Sequence, residues 1–147
     1  MKVYIASDHA GYKLKSELIK LFSYVNFIDL GTNSTDSVDY PDLAQKLCEE
    51  LKNPGEFGVL ICGSGIGMSI AANRYSHIRA ALCRTIQDAE LARQHNNANV
   101  LVLGERMLTE TEASNIFVRF MGTLFEGGRH ERRVEKINKI RGDQNLV

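Results

Sequence analysis

Five short apolar runs constrain this chain more than any other feature: KVYIAS (residues 2–7), VNFIDL (25–30), FGVLIC (57–62), IRAALC (78–83) and NVLVLG (99–104). Each is rich in Val, Ile and Leu and too continuously apolar for a sheet with one wet face. The stretches between them carry helical spacing, as in Leu14, Leu18 and Leu21 or Leu43, Leu47 and Leu51. Strand alternating with helix, with strands apolar on both sides, specifies a parallel sheet covered on both faces. The predicted fold class is therefore α/β: a doubly wound, Rossmann-like sheet of five parallel strands in the order 2-1-3-4-5, with helices on both faces. Two further helical segments, residues 109–123 and 128–140, exceed what five strands need. The last of them, about residues 126–141, reads as an extra C-terminal helix available to another subunit.

A chain of 147 residues is long enough to bury a core without disulfides or metals, and it reads as one domain spanning 1–147. Basic and acidic residues balance at 18 each, which leaves no global field to attract nucleic acid or a membrane surface. The halves differ: residues 1–73 carry 6 basic and 9 acidic side chains, and residues 74–147 carry 12 and 9. The second half is the better anion binder. MKVYIASDHAG has no long apolar core of a signal peptide, and no window approaches the roughly 18 apolar residues of a membrane span. The expected location is cytoplasmic. Cys48, Cys62 and Cys83 are odd in number and form no CxxC pair, so they are expected as reduced thiols, with neither a disulfide framework nor a zinc site.

In sheets of this kind ligands bind beyond the carboxyl ends of the strands, where the strand order reverses. That point falls between the first and third strands, so SDHAG (7–11) and CGSGIG (62–67) are predicted to face each other across one crevice. From Gly63 the chain reads G-S-G-I-G-M, which is neither GxGxxG nor a P-loop, and Met68 stands where a phosphatase cysteine loop needs arginine. What remains is a run of backbone N–H groups opening into a helix, suited to an anion or a developing oxyanion, or else simply tight strand-to-helix packing. Cys62 abuts those donors, which favour a thiolate, whereas Cys48 lies on the apolar side of its helix and Cys83 reads as core. Ser64 brings a hydroxyl to the same loop, or serves only as a turn residue.

Other candidates each have a plainer alternative. Asp8 can cap a helix, and His9 can be merely exposed. His95, in RQHNNANV, can be a favourable charge at a helix end. His77 and His130 have no such company. Arg129 and Arg133 lie four apart in GGRHERRVEKINKIR, either as part of a salt-bridged solvent face with Glu131 and Glu135 or as a forked clamp for a phosphate. Arg106, in LGERM, is a third cation of that kind. The turn-rich GTNSTDSVDYPD (31–42) precedes a helix opened by Asp42 or by Tyr40-Pro41.

Taken together, SDHAG, YPD, ICGSGIGMSIAANR, HNNANVLVLG and GGRHERRVEKI closely resemble ribose-5-phosphate isomerase B, a family shared with galactose-6-phosphate isomerase subunits and enzymes acting on allose 6-phosphate. The likeness runs from the first strand to about Ile140. It implies a cofactor-free, metal-free aldose-ketose isomerase of the pentose phosphate pathway that works through a cis-enediolate. Cys62 matches the base that moves the proton between C1 and C2. The N–H groups of Gly63, Ser64, Gly65, Ile66 and Gly67 match the loop around the enediolate oxygen, and Ser64, standing where many relatives have threonine, keeps the proton-handling hydroxyl. His95 matches the ring-opening acid-base group and Asn96 a binder of a sugar oxygen. Asp8 looks like a binder of the ring or its hydroxyls, His9, Arg106, Arg129 and Arg133 like the phosphate and substrate clamp, and Tyr40 like a pocket wall. The resemblance also implies a homodimer, or a dimer of dimers, whose sites borrow residues across the interface. One branch of the family replaces the cysteine with a glutamate on the following helix, where Met68 stands here.

Two other functions fit the residues: an isomerase of a 6-phosphohexose, and a non-catalytic phosphosugar-binding module. The module requires Arg129 and Arg133 and is indifferent to Cys62.

Overall fold

Every apolar run forms a strand in the computed structural model, which describes residues 1–140. The strands are β1 (Lys2–Ser7), β2 (Asn26–Asp29), β3 (Phe57–Cys62), β4 (Ala80–Leu82) and β5 (Val100–Gly104). Six helices surround them: α1 (Tyr12–Leu21), α2 (Tyr40–Glu50), α3 (Ile66–Ala72), α4 (Ile86–Asn96), α5 (Glu110–Gly122) and α6 (Arg129–Lys139). The two surplus helical segments are thus α5 and α6. Local chemistry sets the boundaries. Thr85 and Asp88 form a capping box that starts α4, Thr109 and Glu112 do the same for α5, and Pro41 sits in the first turn of α2. Asn97, in the left-handed region at φ 46°, ends α4. The polar tail from Arg141 onward, including the last residue of the expected 126–141 segment, lies outside the described residues.

All pairings are parallel, and the order is β2-β1-β3-β5-β4. The expected order had the last two strands the other way round. Burial explains the exchange: all five residues of β5 are buried, whereas β4 has three, all half-buried. The inner slot requires a strand apolar on both faces, and only β5 supplies one. The open edge of β4 is covered by Asn73, whose side chain accepts the N–H of Ala80 and donates to its C=O, both at 2.9 Å. The reversal point still lies between β1 and β3.

Alternation along the strands divides the core into two layers. Val3, Ile5, Val59, Ile61, Leu101 and Leu103 face α1, α4 and α5, where Phe117 and Phe120 complete the packing. Tyr4, Ala6, Leu60, Cys62, Val100 and Val102 face α2 and α3. Lys15, 1% exposed, reaches Asp29 at 2.5 Å, and Asp29 also accepts the N–H of Gly31. This pairing satisfies the buried ammonium and anchors the loop between β2 and α2. No helix among the described residues is long and apolar enough to cross a membrane.

Candidate active site

Loops leaving the carboxyl ends of β1, β3 and β5 converge over the reversal point. With the start of α2 they enclose a cleft of about 520 Å³ lined by Asp8, His9, Tyr40, Cys62, Gly63, Ser64, Ile66, Gly67 and Arg106. Ala10 and Ile70 complete its wall. Both predicted loops therefore face one crevice.

The turn after β3 dictates what Cys62 meets. Gly65 takes a left-handed conformation at φ 78°, and a methyl group there would lie 2.5 Å from Leu82 Cδ1. The turn brings the Gly65 amide back over Cys62, donating to Sγ at 3.2 Å. The other two thiols behave oppositely. Cys48 donates to the carbonyl of Ala72 and Cys83 to that of Ala81, and burial pushes each up to about 12, so both are inert core groups. Only the Cys62 sulfur accepts an N–H at the floor of a cleft.

Ser64 Oγ accepts the N–H of Ile66 at 3.2 Å, which leaves its hydroxyl hydrogen for another acceptor. The loop thus uses two of its five amides internally. Those of Gly63, Ser64 and Gly67 have no partner among the described residues and remain for a ligand. A Cβ on Gly67 would fall 2.5 Å from the Tyr40 ring, so the missing side chain is what lets the tyrosine close over the loop. Arg106 donates its amide to the Gly63 carbonyl at 3.0 Å and lays its guanidinium against the same glycine.

Asp8 is 6% exposed, with Oδ1 accepting the N–H of Gly11 at 3.1 Å and its own amide donating to Ile61. His9 Nδ1 accepts the N–H of Val38 at 3.2 Å, which places the ring proton on Nε2 as a donor. Beside Arg106, Glu105 accepts the N–H of Leu14 in the first turn of α1, and burial holds its carboxyl above the usual range.

His95, Asn96, Arg129 and Arg133 are not in this cleft. His95 and Asn96 end α4, at the amino end of β5, while Cys62 pairs with Gly104 at its other end. The five residues of β5, at about 3.3 Å each, separate the two groups by on the order of 15 Å within one chain. His95 stacks on His130, with ring centroids 4.2 Å apart and planes at 11°, and Glu126 approaches His130 Nε2 at 3.5 Å. The stack fixes α6, with Arg129 and Arg133, beside the end of α4. Donor atoms of His95, Glu126 and His130 lie within 4.8 Å of one another. Imidazole lone pairs lie in the ring planes, and near-parallel planes do not meet at one ion; the trio is a stacked pair with a carboxylate rather than a chelate.

Sequence reasoning gave no role to His130, Ala10 or Ile70. Ile66 and Ile70, one helical turn apart and 46% and 64% exposed, were legible as an apolar rim by spacing alone. His130 was not, because stacking depends on where α6 lands.

The family model for ribose/galactose isomerases matches residues 3–137. A ribose 5-phosphate isomerase from Thermotoga maritima, known from its crystal structure, is 51% identical with a TM-score of 0.90, covering 95% of this chain and 98% of that one. Ribose-5-phosphate isomerase B of Escherichia coli is 40% identical over 148 residues, 98% of this chain and 99% of the relative. The Mycoplasma genitalium ribose-5-phosphate isomerase B, crystallised with bound ribulose 5-phosphate, is 41% identical with a TM-score of 0.85 over 94% of each chain.

Proposed function

Because the chain belongs to the ribose/galactose isomerase family, we propose that it interconverts D-ribose 5-phosphate and D-ribulose 5-phosphate through a cis-enediolate. The observation that carries this reading is the Cys62 sulfur, accepting an N–H at 3.2 Å on the floor of a polar cleft with three unspent amides beside it.

The chemistry follows from these positions. His95 transfers a proton from the anomeric hydroxyl to the ring oxygen, breaking the ring C–O bond and leaving an aldehyde at C1. Cys62, as thiolate, removes the C2 proton; the electron pair forms the C1–C2 double bond, and the aldehyde oxygen takes the negative charge. The amides of Gly63, Ser64 and Gly67 surround that oxygen with fixed donors, worth most where charge develops. Ser64 moves the O2 proton to O1, and the Cys62 thiol returns its proton to C1, giving the ketose with atoms and charge balanced. Asp8 holds sugar hydroxyls, and Tyr40 walls the pocket. His9, through Nε2–H, and Arg106 bind toward the phosphate.

His95 cannot reach Cys62 within its own chain, and neither can Asn96, Arg129 or Arg133. A second copy therefore completes each site, its α4 end and α6 meeting this chain's cleft across a two-fold axis. This gives the surplus helix a purpose and makes the homodimer the smallest active unit.

The test is a metal-free ketose-forming assay offering ribose 5-phosphate, allose 6-phosphate and galactose 6-phosphate to the wild type and to Cys62→Ala. Turnover of the pentose that vanishes with the thiol is expected. Preference for a hexose phosphate would move the substrate within the family. Full activity in Cys62→Ala would overturn the base, and binding without turnover would overturn the enzyme.

A further inference from the structure

The half-site at the amino end of the sheet has an unusual fastening. α6 is strongly polar and buries only His130 and Val134. Among the described residues, one side-chain hydrogen bond joins it to the body of the protein: Arg79 Nη1 donates to Asn138 Oδ1 at 2.9 Å. The same guanidinium, through Nε, donates to the carbonyls of Asn96 at 3.1 Å and Asn97 at 3.0 Å, the last acceptors of α4. A cation there also answers the negative end of the helix dipole.

The root of this side chain is fixed independently. The Arg79 amide donates to Asn99 Oδ1 at 2.7 Å, and its carbonyl accepts the N–H groups of Asn99 and Val100. Arg93 grips the same turn from inside, reaching Asn97 Oδ1 and the Ala98 carbonyl over the ring of Phe57, but it makes no hydrogen bond to α6. Beside the His95–His130 stack, Arg79 is therefore the side chain whose hydrogen bonds tie the segment bearing His95 and Asn96 to the helix bearing Arg129 and Arg133.

We propose that Arg79 is a positioning residue: its guanidinium locks the ring-opening end of α4 to the arginine-bearing helix, so that both enter the partner's cleft as one rigid unit. This rests on the isomerase reading above. The forked shape matters, because Nε and Nη1 reach the two acceptor groups from separate positions in one rigid plane, and a lysine has a single nitrogen at the end of a flexible stem.

Asn138 permits a clean test, since it lies outside the cleft lining of its own chain and has been given no part in the reaction. Asn138→Ala should raise KM for ribose 5-phosphate roughly three- to tenfold, the scale of one lost hydrogen bond, with kcat within about twofold of wild type. Asn138→Asp, which keeps the acceptor, should restore KM. Arg79→Gln should lower kcat as well, because the α4 carbonyls lose their donor, and Arg79→Lys should recover only part. Hydrogen exchange of the α6 amides should accelerate in Asn138→Ala and Arg79→Gln but not in Asn138→Asp. Equal KM values for Asn138→Ala and Asn138→Asp, or unchanged exchange across α6 in Arg79→Gln, would overturn the coupling. A wild type that fails to turn over the pentose defeats the isomerase reading instead, and the exchange data then judge the coupling alone.

Discussion

At the carboxyl end of the sheet, Cys62, closing β3, and Asp8, just after β1, are 5% and 6% exposed, beside a loop where Leu82 and Tyr40 fill the space next to two glycines. At the amino end, His95 is half-buried, Arg129 and Arg133 are exposed, and hydrogen bonds from Arg79 and Arg93 fasten the turn that carries the histidine. The difference follows the division of labour in the proposed reaction. Proton transfer at carbon needs a base held against fixed donors, so its loop is wedged sterically. In that reading the second group projects from one subunit into another, and it stands on polar helices held by the His95–His130 stack and by directional hydrogen bonds.

The largest effect expected from breaking this comparison is Cys62→Ala, which should reduce isomerisation by roughly 10³-fold and abolish solvent-deuterium exchange at C1 of ribulose 5-phosphate. His95→Asn should reduce isomerisation by roughly 10²-fold yet retain that C1 exchange, because the ketose has no ring to open. Mixing the two inactive variants should restore about a quarter of wild-type activity, since random dimers then hold one intact composite site in four. No recovery on mixing would mean that each chain completes its own site.

Wedging at the carboxyl end predicts a stability cost. Gly65→Ala places a methyl group 2.5 Å from Leu82 at φ 78°, and it should destabilise the fold by about 2 kcal/mol, visible as a lower melting temperature. An unchanged melting temperature would show that the turn is not strained against β4.

The smallest effect concerns pH at the amino end. Burial lowers the pKa of His130 from the ordinary 6.5; nearby His95, Arg129 and Arg133 lower it further, and Glu126 opposes them. As pH falls below 6.5 the unfolded chain binds a proton that the folded imidazole resists, so stability should decline from that value down to the folded pKa. His130→Gln should flatten the decline when unfolding is followed across this window, and an identical slope in the variant would place the titration elsewhere.

Periodicity made all five strands and both surplus helices legible, because side-chain direction repeats every two residues in a strand and every 3.6 in a helix. The crevice between β1 and β3 was legible too, since it depends on connectivity and survived the exchange of β4 and β5. The exchange itself was not, because neighbour choice is decided by how completely each strand is buried, and β4 proved half-buried. Likewise the letters contained Cys62, Ser64 and Asp8, but not which amides the loop would spend on itself.

The sequence alone thus determined the fold class, the two opposed loops and the chemical type of each candidate, since these rest on local pattern and residue chemistry. Tertiary structure alone decided that His95 lies at the far end of the sheet from Cys62, that His130 stacks on it, and that Arg79 joins α4 to α6. The stack and the Arg79–Asn138 bond span 35 and 59 positions of sequence, and no local preference specifies where such distant segments meet.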